Sequence, residues 1–92
     1  MIACEGSCCR IDGAVTVDSV GGLLRDLQPR LAGNIDTLDF SAVETADSAA
    51  LALIFSAMRY AQQAGRTLTL VGLPASLTTL ADLYGVSELL PA

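Results

Sequence analysis

Apolar positions in this 92-residue chain come in short runs whose period switches between that of a strand and that of a helix. Two short strands are predicted at the N-terminus, Met1–Cys4 and Cys8–Asp12, around the turn-like Glu5-Gly6-Ser7. Gly13 interrupts the pattern, and Ala14–Val17 leads into the next element. Val20, Leu23, Leu24, Leu27 and Leu31 then recur at helical spacing on one face, with Asp18 or Ser19 as the cap. Gly21-Gly22 weakens that helix by roughly 1 kcal/mol per glycine relative to alanine, and Pro29 is expected to end or kink it near Gln28. After a Gly33-Asn34 turn, Ile35–Phe40 reads as a strand ending near Ser41.

A loop of four or five residues should then lead to a second helix, from about Asp47 to Ala64, with Gly65 as its left-handed stop. Leu51, Ile54, Met58 and Ala61 form one stripe of that helix, flanked by Leu53, Ala57 and Tyr60. A helix apolar on several sides is buried between layers or offers part of itself to a partner. Amphipathic spacing favours the core reading for the stripe, while a flank with Phe55 and Arg59 can contribute outer contacts. Thr67–Val71 alternates as a strand, and Gly72-Leu73-Pro74 turns into a third helix carrying Leu77, Leu80, Ala81 and Tyr84, stopped by Gly85. Val86–Leu90 reads as a final turn of helix closed by Pro91. The order strand, strand, helix, strand, helix, strand, helix implies right-handed βαβ crossovers. We therefore expect one α/β domain over residues 1–92: a small mixed sheet of four or five strands with helices mainly on one face.

Composition narrows the chemistry. Ten acidic and five basic residues leave a formal charge of −5, with no basic cluster to neutralise phosphates, which argues against a nucleic-acid surface. The chain has no His, no Lys and no Trp. It therefore cannot form a Walker-type phosphate loop or a Schiff base, and it lacks the commonest general base and metal ligand. No apolar run approaches the roughly 20 residues of a membrane span, and the N-terminus lacks the signature of a secretory signal, so a cytoplasmic protein is expected. Cys4, Cys8 and Cys9 are an odd count without a fourth ligand nearby, which fits free structural or incidental thiols in a reducing compartment, not zinc. No cofactor and no metal are called for.

The segment Thr37–Met58 carries the most chemical information. It delivers a carboxylate and a hydroxyl, Asp47 and Ser48, to a helix N-terminus, where first-turn amides lack partners and the dipole favours negative charge. Either side chain can cap the helix, and the Ser48 hydroxyl is equally placed to carry a phosphate, which would add about −1.5 to −2 charges beside Asp47 and near Glu44. Asp39 and Ser41, at a strand end, read as loop-fixing. Nothing supplies Asp47 with the acid partner and pocket that a general base needs.

Leu38-Asp39-Phe40-Ser41-Ala42-Val43, followed by Asp47-Ser48 and an apolar helix, resembles the STAS domain of the anti-sigma factor antagonists. Gly65-Arg66-Thr67-Leu68-Thr69-Leu70-Val71-Gly72 is similar to that family's fourth strand. Leu80-Ala81-Asp82-Leu83-Tyr84-Gly85-Val86 with Leu89-Leu90-Pro91 resembles the small STAS subunits of Mla-type phospholipid-trafficking ABC transporters. Two departures stand out: Ala49-Ala50 replaces the glycine usual after the hydroxyl, and Ser48 stands where the transporter branch often has threonine. The resemblance implies a non-enzymatic cytoplasmic module that binds and supports the transporter's ATPase subunit, which maintains outer-membrane lipid asymmetry. It would lie peripheral to the inner membrane through that partner and would neither bind ATP nor insert into the bilayer. The docking residues it implies are Glu44, Thr45, Asp47, Ser48, Ala49, Leu51, Phe55 and Arg59. The alternative it implies is an anti-sigma factor antagonist switched by a partner kinase at Ser48. A small enzyme or ligand-binding module is the third class, disfavoured by the missing His and Lys.

Overall fold

The computed structural model describes residues 2–90. Met1 of the first predicted strand and Pro91 after the last turn lie outside that range. Ile2–Glu5 (β1) and Cys8–Val15 (β2) form an antiparallel hairpin; Val20–Ala32 (α1), Thr37–Ala46 (β3), Ser48–Gln63 (α2), Thr69–Val71 (β4) and Ala75–Leu83 (α3) follow, with a 3-10 turn at Ser87–Leu89. The four strands lie in the order β1-β2-β3-β4, with β2, β3 and β4 mutually parallel. This is the mixed sheet expected, at the lower strand number.

Period two decides which strand residues face the helices. Cys9, Ile11 and Val15 of β2, Leu38 and Phe40 of β3 and Leu70 of β4 are buried, while their neighbours are not. The helices cover that face. Leu23, Leu27 and Leu31 of α1 and Leu77 and Ala81 of α3 complete the core from either side of α2. The central helix buries Ala50, Leu51, Leu53, Ile54, Ala57 and Ala61, which is why it is apolar over so much of its circumference. Its end follows from local chemistry: the Gly65 N–H donates to the Gln62 carbonyl and the Arg66 N–H to the Ala61 carbonyl, the paired bonds of a Schellman stop.

Four expectations are corrected. Pro29 does not end α1, which runs to Ala32. The missing proline N–H leaves the Arg25 carbonyl without its helical donor on an exposed turn, where water can replace it. One further turn buries Leu31 completely, worth about 1.5–3 kcal/mol. Gly13 does not interrupt the second strand, which extends to Val15 through two register shifts against β3. The loop expected after Ser41 is absent, because Asp12–Val15 pair with Ala42–Ala46 and carry β3 up to the residue before Asp47. Finally, the three cysteines are not all free: Cys4 and Cys9 form a disulfide, leaving Cys8 as a thiol. The two-residue turn Gly6-Ser7 sets Cys4 directly opposite Cys9, with Cα atoms 4.0 Å apart, the close approach of a non-hydrogen-bonded pair.

Candidate functional site

All three parallel strands deliver their C-terminal ends to one side of the domain, where α1 and α2 begin. The β2–α1 turn is held by its own serine. Ser19 Oγ donates to the Ala14 carbonyl at 2.9 Å and accepts from the Thr16 N–H at 3.0 Å, so it caps no helix amide. Val17 stands at the apex of this turn, 72% exposed.

Asp47 joins that turn to α2. In extended backbone before the helix, its Oδ1 accepts from the Ala49 N–H at 2.8 Å, and its Oδ2 accepts from the Val17 N–H at 3.3 Å. Its own N–H donates to the Val15 carbonyl, and its carbonyl accepts from the Ala50 N–H. One carboxylate thus caps the helix and ties it to the neighbouring turn. Ser48, the first helical residue, is exposed, and its hydroxyl has no hydrogen-bond partner among the described residues. Of the two capping candidates, the structure selects Asp47 and leaves the Ser48 hydroxyl to solvent.

Glu44 and Thr45, at the end of β3, are exposed on the same side, and Ala49 is half-buried beside them. Phe55 is half-buried and Arg59 exposed, two and three turns down α2. Leu51 belongs to the core, only 4% exposed, so it supports the helix from inside and presents nothing outward. Asp39 accepts the Ser41 N–H at 2.8 Å, and this bond, the Ser41 side chain and, to a smaller extent, the Arg10 charge hold its carboxyl below the usual range against a modest opposing effect of burial. That arrangement braces β3 where its register with β2 shifts and offers no acid–base pair.

The sequence reading missed Val17. Its apolar character blended into the run Ala14–Val17, which read only as the lead into the next element, whereas the strand extends to Val15 and the turn lifts Val17 out. Among the described residues no group of His, Cys, Asp and Glu could hold a metal, and no helix is long and apolar enough to cross a membrane. A recess at the opposite ends of α1 and α2, lined by Gln28, Ala32, Tyr60, Gln63 and Ala64, carries the Tyr60 phenol as its one ionisable group.

The double duty of Asp47 has a measurable consequence. Asp47→Ala is expected to lower stability by about 1–2 kcal/mol in urea unfolding, whereas Asp47→Asn, which keeps an oxygen for the Ala49 N–H, loses under half of that. Equal losses for the two variants would show that the cap bond contributes nothing.

Comparison with known proteins gives a consistent picture. The family described as "Mlab, STAS domain" matches residues 3–91. Among solved structures, the anti-sigma factor antagonist SpoIIAA in its unphosphorylated form superposes with a TM-score of 0.73 at 14% identity, covering 96% of this chain and 82% of that one. A structure of Mglu matches with a TM-score of 0.61 at 19% identity, covering 82% of this chain and 19% of that chain. At these identities the two structures establish likeness of fold alone. No curated protein sequence matches the chain.

Proposed function

We propose, for a chain that belongs to the MlaB family of STAS domains, the role of a non-enzymatic subunit docking on the ATPase of a lipid-transporting, Mla-type ABC transporter. The contact is made by the side of the domain where α2 begins: Glu44, Thr45, Asp47, Ser48 and Ala49, with Val17 from the adjoining turn and with Phe55 and Arg59 along the helix. The observation that carries this reading is the unengaged, exposed Ser48 hydroxyl on a backbone already braced by Asp47. A surface that needs no ordering on contact loses less entropy when it binds. By binding the assembled ATPase better than the separated one, such a domain favours assembly by mass action. Its place would be at the inner membrane through the partner, supporting lipid asymmetry without touching lipid itself.

A second reading is favoured by the same hydroxyl: an anti-sigma factor antagonist, with Ser48 phosphorylated by a partner kinase. The likeness of fold to an anti-sigma factor antagonist is compatible with it. The two readings separate experimentally. In co-expression with a Mla-type ATPase, capture is expected to survive Ser48→Ala and to weaken about 10-fold or more for Ser48→Glu, which sets a third carboxylate beside Asp47 and Glu44 in the contact. Capture that is indifferent to Ser48→Glu would exclude this face. Radiolabel passing from a cognate anti-sigma kinase to the wild type but not to Ser48→Ala would decide for the switch.

A further inference from the structure

Away from the docking face, the N-terminal hairpin carries a second device. β1 is an edge strand of four residues whose ladder partner is β2 alone. Its turn is anchored: the Asp36 and Thr37 N–H groups donate to the Ser7 carbonyl at 3.0 and 3.1 Å, and the Asn34 amide donates to the Gly6 carbonyl at 3.3 Å. Toward its N-terminus β1 is held by its ladder to β2, the packing of Ile2 on the core, and the Cys4–Cys9 bond. It is a strap on a fixed hinge.

We propose that Cys4 and Cys9 form a reversible dithiol–disulfide clasp that controls whether β1 covers the outer backbone edge of β2. The two sulfurs differ in access. Cys4 is only partly buried, whereas Cys9 is fully buried. Cys4 is therefore the sulfur that meets the reagent and Cys9 the one that resolves. With a low-molecular-weight disulfide such as glutathione disulfide as oxidant, the Cys4 thiolate attacks one external sulfur. This forms a mixed disulfide and releases one thiolate of glutathione. The Cys9 thiolate then attacks the Cys4 sulfur, forming the intramolecular bond and releasing the second glutathione thiolate. Two protein thiols and one external disulfide become one protein disulfide and two external thiols, and excess thiol reverses the sequence. Cys8 takes no part, because alternation along β2 turns it to the opposite side of the sheet from Cys9, across from Glu5.

Closing the clasp removes the freedom of β1 to peel away, and opening it restores that freedom. When β1 lifts, a row of unpaired N–H and C=O groups on β2 becomes available to another strand.

The test uses the full chain with Cys8→Ser, which keeps both clasp sulfurs. After incubation with glutathione disulfide and acid quench, the intact mass should fall by about 2 Da without a retained glutathione adduct. Amide hydrogen exchange at Ala3 and Glu5, whose N–H groups face β2, should be roughly 10-fold or more slower in the oxidised than in the reduced protein, the scale of constraint from closing so short a loop. A mass that does not fall, or a persistent glutathione adduct, overturns the clasp. Equal exchange in the two states shows a bond that controls nothing, which overturns the proposal as well. Should Cys8→Ser fail to fold, the same measurements on the wild type with peptide mapping replace it, and pairing through Cys8 refutes the assignment.

Discussion

Replacing Phe40 by alanine is expected to remove about 3–5 kcal/mol of stability, a large part of the roughly 5–14 kcal/mol that a domain of this length has in total. Phe40 is the largest fully buried side chain, 1% exposed in the middle of β3 on the helix-covered face. Truncation forfeits the transfer energy of the ring and leaves a cavity that a close-packed core fills only in part. In urea unfolding the midpoint should drop with little change in slope, the pattern of a native state that is less stable but equally compact. Phe40→Leu retains most of the volume and should cost about 1.5 kcal/mol or less. A loss under about 1 kcal/mol for the alanine variant would mean that the ring is not the keystone its burial implies. The consequence extends to the start of α2. The same strand runs on from Phe40 to Ala46 and sets the position of Asp47, so a loosened β3 should also displace the Asp47-Ser48 helix start.

Gly72→Ala is expected to cost about 2–4 kcal/mol, more than an exposed turn position usually costs. Two effects combine there. Gly72 has φ +69°, a conformation that side chains with a Cβ rarely adopt. A Cβ would also lie 2.8 Å from both Ser41 Cβ and the Ser41 nitrogen and 3.0 Å from Asp39 Oδ1. Those atoms are not free to give way, because Ser41 N–H and Asp39 Oδ1 are bonded to each other within β3. Gly65 separates the two effects: its φ is +75° and nothing lies within 4 Å of the added Cβ. Gly65→Ala should therefore show the backbone cost alone, about 1 kcal/mol. Thermal or urea unfolding of both variants measures the difference. Equal losses at the two glycines would rule out the steric component at Gly72.

Much of the architecture was legible before any coordinates. α2 announced itself at both ends, by Asp47-Ser48 at its start and by Gly65 after its last turn, because caps and stops are matters of local hydrogen bonding. The amphipathic spacing of Leu23, Leu27 and Leu31 showed the buried side of α1 for the same kind of reason. What failed were decisions that depend on distant chain. Ser41–Ala46 mixes small, polar and apolar residues without a clear period, and it becomes strand only because the end of β2 offers it a ladder across bulges. Pro29 is a helix breaker locally, yet the burial of Leu31 beneath the last turn carries α1 past it.

The candidate site divides in the same way. The presence of a carboxylate and a hydroxyl at a helix start was written in Asp47-Ser48 itself. Which of the two would cap, and which would be left for a partner, turned on the Val17 N–H, thirty residues away in sequence and 3.3 Å away in space. By itself, the sequence determined the existence and order of the helices, the Asp47-Ser48 start and Gly65 stop of α2, the mixed α/β order and the chemical poverty of a chain without His or Lys. The tertiary structure alone decided the true length of β3, the pairing of Cys4 with Cys9, the exposure of Val17 and the freedom of the Ser48 hydroxyl. The physical reason is range: caps and periodicity act within a turn or two, whereas ladders, burial and cross-strand contacts exist only once remote segments have met.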